Sequence, residues 1–182
     1  MNILLFGVSN VGKSVTGELL ASRLQYEFYD LDEEVKNKLG ITLEKFVSSG
    51  TLLERDLIRC SIINSLVSIH SNKVIAITPL TYIAPIQHLF SKKGILAIEL
   101  LDSAENIFDR LIFSDENDNI YKDDEYKNRY KDHYLNDIRK DLEWYSSVYS
   151  VIRHKFDMDG RDTASITEAL IKKYHLTSPT RA

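Results

Sequence analysis

The sequence predicts an α/β fold in three layers, a five-stranded parallel sheet flanked by helices on both faces. Two observations carry that prediction. Apolar, strand-like runs alternate with helix-like stretches along most of the chain, the pattern of a covered parallel sheet. A glycine loop of fixed spacing, Gly7 to Ser14, joins the first strand to the first helix. The length of 182 residues suits one domain with a full core.

Residues 2–6 read Asn-Ile-Leu-Leu-Phe, an apolar run that predicts a buried strand. Val15, Leu19, Leu20 and Leu24 then recur at helical spacing among polar residues and predict an amphipathic helix. Residues 26–30 form the second strand. Two short helices, 32–39 and 42–48, break at Gly40, and 51–69 form a longer apolar helix. The third strand is 73–78, a helix includes 85–91, and the fourth strand is 94–100. Helix 103–112 carries Ile107 and Leu111 on one face.

Composition changes at 114–134, which is rich in charge and tyrosine and poor in aliphatic residues. Such a stretch cannot fill a core, so it is expected as a solvated excursion. Within it, Tyr126, Tyr130 and Tyr134 fall on one face of a helix, which packs on the body or covers a site. Leu135, Ile138, Leu142, Tyr145 and Tyr149 restore a helical stripe, with Trp144 beside it as core or lid packing. A fifth strand is expected within 151–158 and a closing helix over 163–175, and 178–182 reads as a frayed tail.

With 23 basic and 27 acidic residues the net charge is −4, so nothing advertises nucleic acid or an anionic membrane as partner. The one cysteine, Cys60, excludes an internal disulfide framework and sits in an apolar helical stretch, where a buried, inert thiol is expected. The opening lacks the basic start of a signal peptide. No run reaches the roughly 18 apolar residues of a membrane helix. The five histidines show no metal-ligand spacing. A cytoplasmic monomer acting on a small molecule is the expectation.

Gly7-Val8-Ser9-Asn10-Val11-Gly12-Lys13-Ser14 matches G-x-x-x-x-G-K-[ST] at every fixed position. A glycine turn with a chance lysine would also match. The strand before it and the helix after it supply the context that phosphate binding requires, and with it a P-loop NTPase fold. Glycines admit backbone conformations and close approaches that a Cβ would obstruct. Loop N–H groups and the helix N-terminus can then cradle phosphate oxygens. Gly7, Ser9, Asn10, Val11, Gly12, Lys13, Ser14 and Val15 are therefore the candidate ATP-binding residues. Lys13 would reach the β- and γ-phosphates, and Ser14 would ligate Mg²⁺.

Asp30-Leu31-Asp32 closes the second strand. In extended chain the two carboxylates would project to the same side, beyond the carboxyl end of the sheet where ligands bind. One could hold Mg²⁺ through water while the other accepts a proton from an attacking hydroxyl. Asp32 could equally cap the next helix, with Glu33 and Glu34 complementing its dipole.

Together these residues resemble shikimate kinases. The phosphate loop is followed by Gly17-Glu18-Leu19-Leu20-Ala21, then Asp30-Leu31-Asp32, Gly40, and Gly50-Thr51-Leu52-Leu53-Glu54-Arg55 in place of that family's Gly-Glu-x-x-Phe-Arg. The resemblance covers residues 2–60, with Leu101-Asp102-Ser103-Ala104-Glu105 through Arg110 matching further by order and length. It implies that Asp32 contacts the substrate hydroxyl as base and that Asp30 supports Mg²⁺. It also implies that Arg55 holds the substrate carboxylate and that Arg110 packs on adenine. A bidentate guanidinium suits the carboxylate, although a solvated helix arginine would read the same in sequence.

The departures lie in the acceptor half. Thr78-Pro79-Leu80 stands where shikimate kinases carry three glycines, and Pro79 has no N–H to donate. The lid motif Arg-Pro-Leu-Leu is absent between Leu111 and Tyr134, leaving Lys122, Lys127, Arg129 and Lys131 as lid cations. A second substrate arginine, expected four residues before Tyr145, is Asp141, with Arg139 two residues earlier. The sequence thus predicts one P-loop kinase domain over 1–182 with a lid near 113–134. Its reaction would move the γ-phosphoryl of ATP, with Mg²⁺, to a hydroxyl of a small carboxylate-bearing metabolite, shikimate first. A related kinase for a sugar acid or nucleoside monophosphate, and a non-catalytic ATP-binding protein, are the other readings.

Overall fold

The computed structural model describes residues 1–178; residues 179–182, most of the expected frayed tail, lie outside the described residues. Strand β1 (Asn2–Phe6) is buried at every position and occupies the centre of a five-stranded sheet. Strand β2 is Glu27–Asp30, β3 Lys73–Ala76 and β4 Ile95–Leu101. Two further short strands, β5 (Phe113–Ser114) and β6 (Ile120–Tyr121), pair antiparallel outside the sheet. The last strand, β7, is His154–Asp157. The main sheet is parallel throughout, in the order β2-β3-β1-β4-β7.

Period-2 alternation sends β1 into two cores. Leu4 and Phe6 join one, with Leu31, Val35, Phe46, Ile63, Ile86 and Tyr149. Ile3 and Leu5 join the other, with Leu20, Leu24, Phe156, Ile166 and Leu170. Each fully buried aliphatic side chain stabilises by about 1.5–3 kcal/mol, so both faces hold β1 in the middle. Helices α1 (Lys13–Leu24) and α8 (Thr163–Lys173) cover one face. The other is covered by α2 (Leu31–Leu39), α4 (Leu52–Ser68) and a 3₁₀ helix at Ala84–Ser91. Between α2 and α4 lies the short α3 (Leu43–Val47). A capping box starts α4: Glu54 N–H donates to Thr51 Oγ1 at 3.2 Å, and Thr51 N–H donates to the Glu54 carboxylate at 2.7 Å.

Several expectations shift. Val15, expected on the buried face of the first helix, is 56% exposed; Leu20 and Leu24 are buried as expected, joined by Thr16 and Gly17. The predicted 103–112 helix is the shorter α5 (Ala104–Asp109), capped by Ser103. The expected solvated excursion contains the β5–β6 hairpin and α6 (Asp124–Arg129), and α7 (Lys131–Val148) begins earlier than predicted. The helix breaks at Tyr130, so the three tyrosines do not share one helix. Instead Phe113 gathers Tyr121, Tyr126 and Tyr134 around it at ring separations of 5.7, 5.8 and 5.9 Å. Trp144, expected in packing, is exposed. Among the described residues no helix is long and apolar enough to cross a membrane.

Candidate active site

The Gly7–Ser14 loop leaves β1 at the carboxyl edge of the sheet and enters α1. Gly7 has φ 140°, and a Cβ there would stand 2.7 Å from the Leu100 carbonyl oxygen. Gly12, at φ 109°, would drive a Cβ to 3.2 Å from the Met158 methyl. The loop is therefore pressed against β4 and the segment after β7, and only glycine fits both places. Lys13 is folded under it, with Nζ donating to the Val8 carbonyl at 2.7 Å and the Gly7 carbonyl at 3.0 Å. Burial lowers its pKa to about 8, against the opposing pull of Asp32 and Asp30.

Two cavities meet at this loop, and Asn10, Lys13, Ser14, Val15 and Ile112 border both. The first, of about 550 Å³, runs along Gly12 towards Arg110, Leu111, Lys122, Lys127 and Thr163. The Arg110 guanidinium donates to the Val11 carbonyl at 2.9 Å and is ion-paired with Asp102. Burial works to raise the Asp102 pKa, but hydrogen bonds from Arg110, Asn106 and Ser103 outweigh it and hold the carboxyl below its usual range. Arg110 is thereby fixed beside the loop as one wall of the cleft.

The second cavity, of about 860 Å³, opens on the other side of Lys13. Asp30, Asp32, Arg59, Thr78, Pro79 and Tyr145 line its floor, and Phe113, Asp118 and Ile120 of the hairpin roof it. At the hairpin tip, Asp118 accepts the Leu43 N–H at 2.8 Å, tying the roof to α3.

The two carboxylates reach this cavity by different routes than extended chain would give. The strand ends at Asp30 and α2 begins at Leu31, so Asp30, not Asp32, is the N-cap, accepting the Asp32 N–H at 3.0 Å. The other Asp30 oxygen accepts a hydrogen bond from the Ser14 hydroxyl at 2.5 Å. Asp32 lies in the first helical turn, where its Oδ2 accepts from the Thr78 hydroxyl. Its buried Oδ1 has no hydrogen-bond partner. Burial raises the Asp32 pKa, and Thr78 and Arg59 oppose that only in part.

Arg55 is not among the residues lining the cavity. Its guanidinium donates to the Ser49 and Gly50 carbonyls at 2.8 and 3.1 Å, just below the start of α4. One turn further along α4, Arg59 is buried and faces the cavity. It lies 3.6 Å from Asp32 and 3.6 Å from Asp56, with its guanidinium 5.0 Å above the Phe46 ring and its Nε unpartnered. A signal existed in sequence: a charged pair, Asp56 and Arg59, at i, i+3 within the apolar stretch of α4 must be buried together. Arg139 does not approach the cavity; it pairs with Glu105 at 2.7 Å.

The loop after β3 has little backbone to offer a ligand. Pro79 has no N–H, Leu80 donates to the Tyr149 hydroxyl at 2.9 Å, and Thr81 and Tyr82 donate to Asp56 at 2.9 and 3.0 Å.

A family model described as shikimate kinase matches residues 9–174. A shikimate kinase from Geobacter sulfurreducens is 36% identical over 111 residues, 60% of this chain and 60% of that protein's length. The fold is similar to that of shikimate kinase from Bacteroides thetaiotaomicron, with TM-score 0.80 and 17% identity over 97% of this chain and 99% of that one. It is also similar to shikimate kinase from Acinetobacter baumannii in complex with shikimate, with TM-score 0.69, 22% identity and coverage of 96% and 92%. At those identities the solved structures speak to the fold.

Proposed function

This chain belongs to the shikimate kinase family, and we propose that it transfers the γ-phosphoryl group of ATP to a hydroxyl of shikimate, as a single-domain monomer in the cytoplasm. Nucleotide binding follows from the family and the loop. The observation that carries the acceptor reading is the second cavity. There the Asp32 carboxylate, the buried Arg59 guanidinium and the phosphate-loop lysine border one space.

Phosphoryl transfer depends on positioning and on charge stabilisation. Loop N–H groups and Lys13 would hold the phosphates, and Arg110 would lie against the adenine end of the first cavity. Lys13 would exchange its two carbonyl partners for phosphate oxygens, a stronger charge-assisted pairing. The Asp32 carboxylate would accept the proton of the attacking hydroxyl; the pKa that burial raises suits a base. Arg59, rather than Arg55, would hold the acceptor carboxylate through its guanidinium fork. The hairpin roof would keep water out.

Mg²⁺ fits the loop. Ser14 Oγ and an Asp30 carboxylate oxygen already lie 2.5 Å apart, and this ion takes one or two protein oxygens beside phosphates and water. Ser14 and Asp30 would hold it, and it would supply charge neutralisation between the phosphates. The test is ADP formation from MgATP with and without shikimate, against a Lys13→Ala background. Shikimate-dependent turnover is expected. Binding of MgATP without shikimate-dependent turnover would sink the acceptor assignment.

A further inference from the structure

We propose that Thr78 is a positioning residue that keeps Asp32 and Arg59 from closing on one another. The inference rests on the reading of Asp32 as base and Arg59 as anion anchor. Carboxylate and guanidinium pair most strongly through two parallel N–H···O bonds of under about 3 Å. Nothing in the chain's connectivity prevents that pairing here, since the buried Arg59 and the half-buried Asp32 line the same cavity. Yet Arg59 Nη2 stands 3.6 Å from Asp32 Oδ1, and that oxygen has no hydrogen bond.

The restraint comes from both sides. The Thr78 hydroxyl, just beyond β3, donates to Oδ2 of Asp32 and holds that oxygen towards the loop. Asp56 stands 3.6 Å from the far side of Arg59 and accepts the Thr81 and Tyr82 N–H groups, so the same loop anchors the arginine's other neighbour. With Thr78 in place, the Asp32 carboxylate and the Arg59 guanidinium stay apart, each bordering the cavity. Without its hydroxyl the carboxylate is free to turn and form the fork, which would occupy base and anchor together. Thr78 stands where the family's glycine pattern has no side chain to do this.

The direct test is the crystal structure of Thr78→Val, a near-isosteric change, beside the wild type. Thr78→Ala serves as a second variant should valine crowd the site. The expected result is an Asp32–Arg59 separation that falls below about 3 Å. With shikimate as acceptor, kcat should fall about 100-fold, the scale of an ångström misplacement. KM for the acceptor should rise as well, and the MgATP dissociation constant should stay unchanged. Thr78→Ser, which restores the hydroxyl, should restore both kinetic constants. An unchanged Asp32–Arg59 separation in the valine and alanine variants would overturn the proposal. A wild type that turns over no shikimate would instead sink the functional reading, while the separation would still decide the role of Thr78.

Discussion

The two cavities that meet at Lys13 are built by different means. On the Arg110 side the backbone sets the geometry: two glycines in conformations closed to other residues, a loop pressed on β4, and Arg110 bonded to the Val11 carbonyl. On the Asp32 side the backbone is nearly spent, with Pro79 lacking a donor and the next three N–H groups engaged internally. There Asp32, Arg59 and Thr78 set the geometry through side chains. A backbone cradle tolerates drift in the surrounding sequence, because most residue types supply the same N–H. A side-chain site is remade by single substitutions, so it is where the chain departs from its family's pattern.

The comparison can be broken at its strongest point first. Lys13→Ala removes the charge serving both cavities and should cost at least about 10³-fold in turnover. The protein should lose none of its thermal stability from that charge, because its burial is unfavourable. Asp32→Asn should lower kcat by about 10²- to 10⁴-fold, the range of a lost general base, with MgATP affinity unchanged by titration calorimetry. A matching loss of nucleotide affinity would place Asp32 in the nucleotide half instead.

The two arginines of α4 sharpen the contrast. Arg59→Ala should raise KM for shikimate by about 30-fold or more, the cost of at least 2 kcal/mol for one partner of a buried charge pair. Arg55→Ala, one turn away and bonded only to carbonyls, should leave KM and kcat nearly unchanged. Steady-state kinetics of the two variants decide between them, and the reverse pattern would restore Arg55 as the anchor.

The smallest effect is a pH dependence. Free Lys13 loses its proton near pH 8, because burial disfavours the charged form. Phosphates bind that charged form, so MgATP affinity should weaken above about pH 8, tenfold per unit at most. The same group acts oppositely on folding. Its pKa is depressed below the unfolded value of 10.5, so between about pH 8 and 10.5 the unfolded chain holds more protons and stability of the nucleotide-free protein rises with pH. Calorimetric titrations with ATP and thermal melts across that range check both signs.

What was legible in sequence follows the same division. The loop, α1 and the Asp30–Asp32 pair are local, set by spacing over a few residues, and the structure brings them together. Alternating apolar runs likewise fixed the order of strands and helices. The choice between Arg55 and Arg59 was not local. The two are four residues apart on one helix, and only the packing of α4 on Phe46 and the loop after β3 decides which faces the cavity. In sequence Thr78 reads only as the absence of a glycine, because its bond to Asp32 spans 46 residues of chain. The β5–β6 hairpin is not legible in sequence because strands of two residues carry no period to read.

The most direct measurement is phosphorus NMR of MgATP and shikimate incubated with the wild-type protein. The account predicts a new phosphomonoester resonance growing in step with ADP, with little inorganic phosphate, and its loss in Asp32→Asn. Inorganic phosphate as the only new product, or no conversion at all with ATP bound, would contradict phosphoryl transfer to this acceptor.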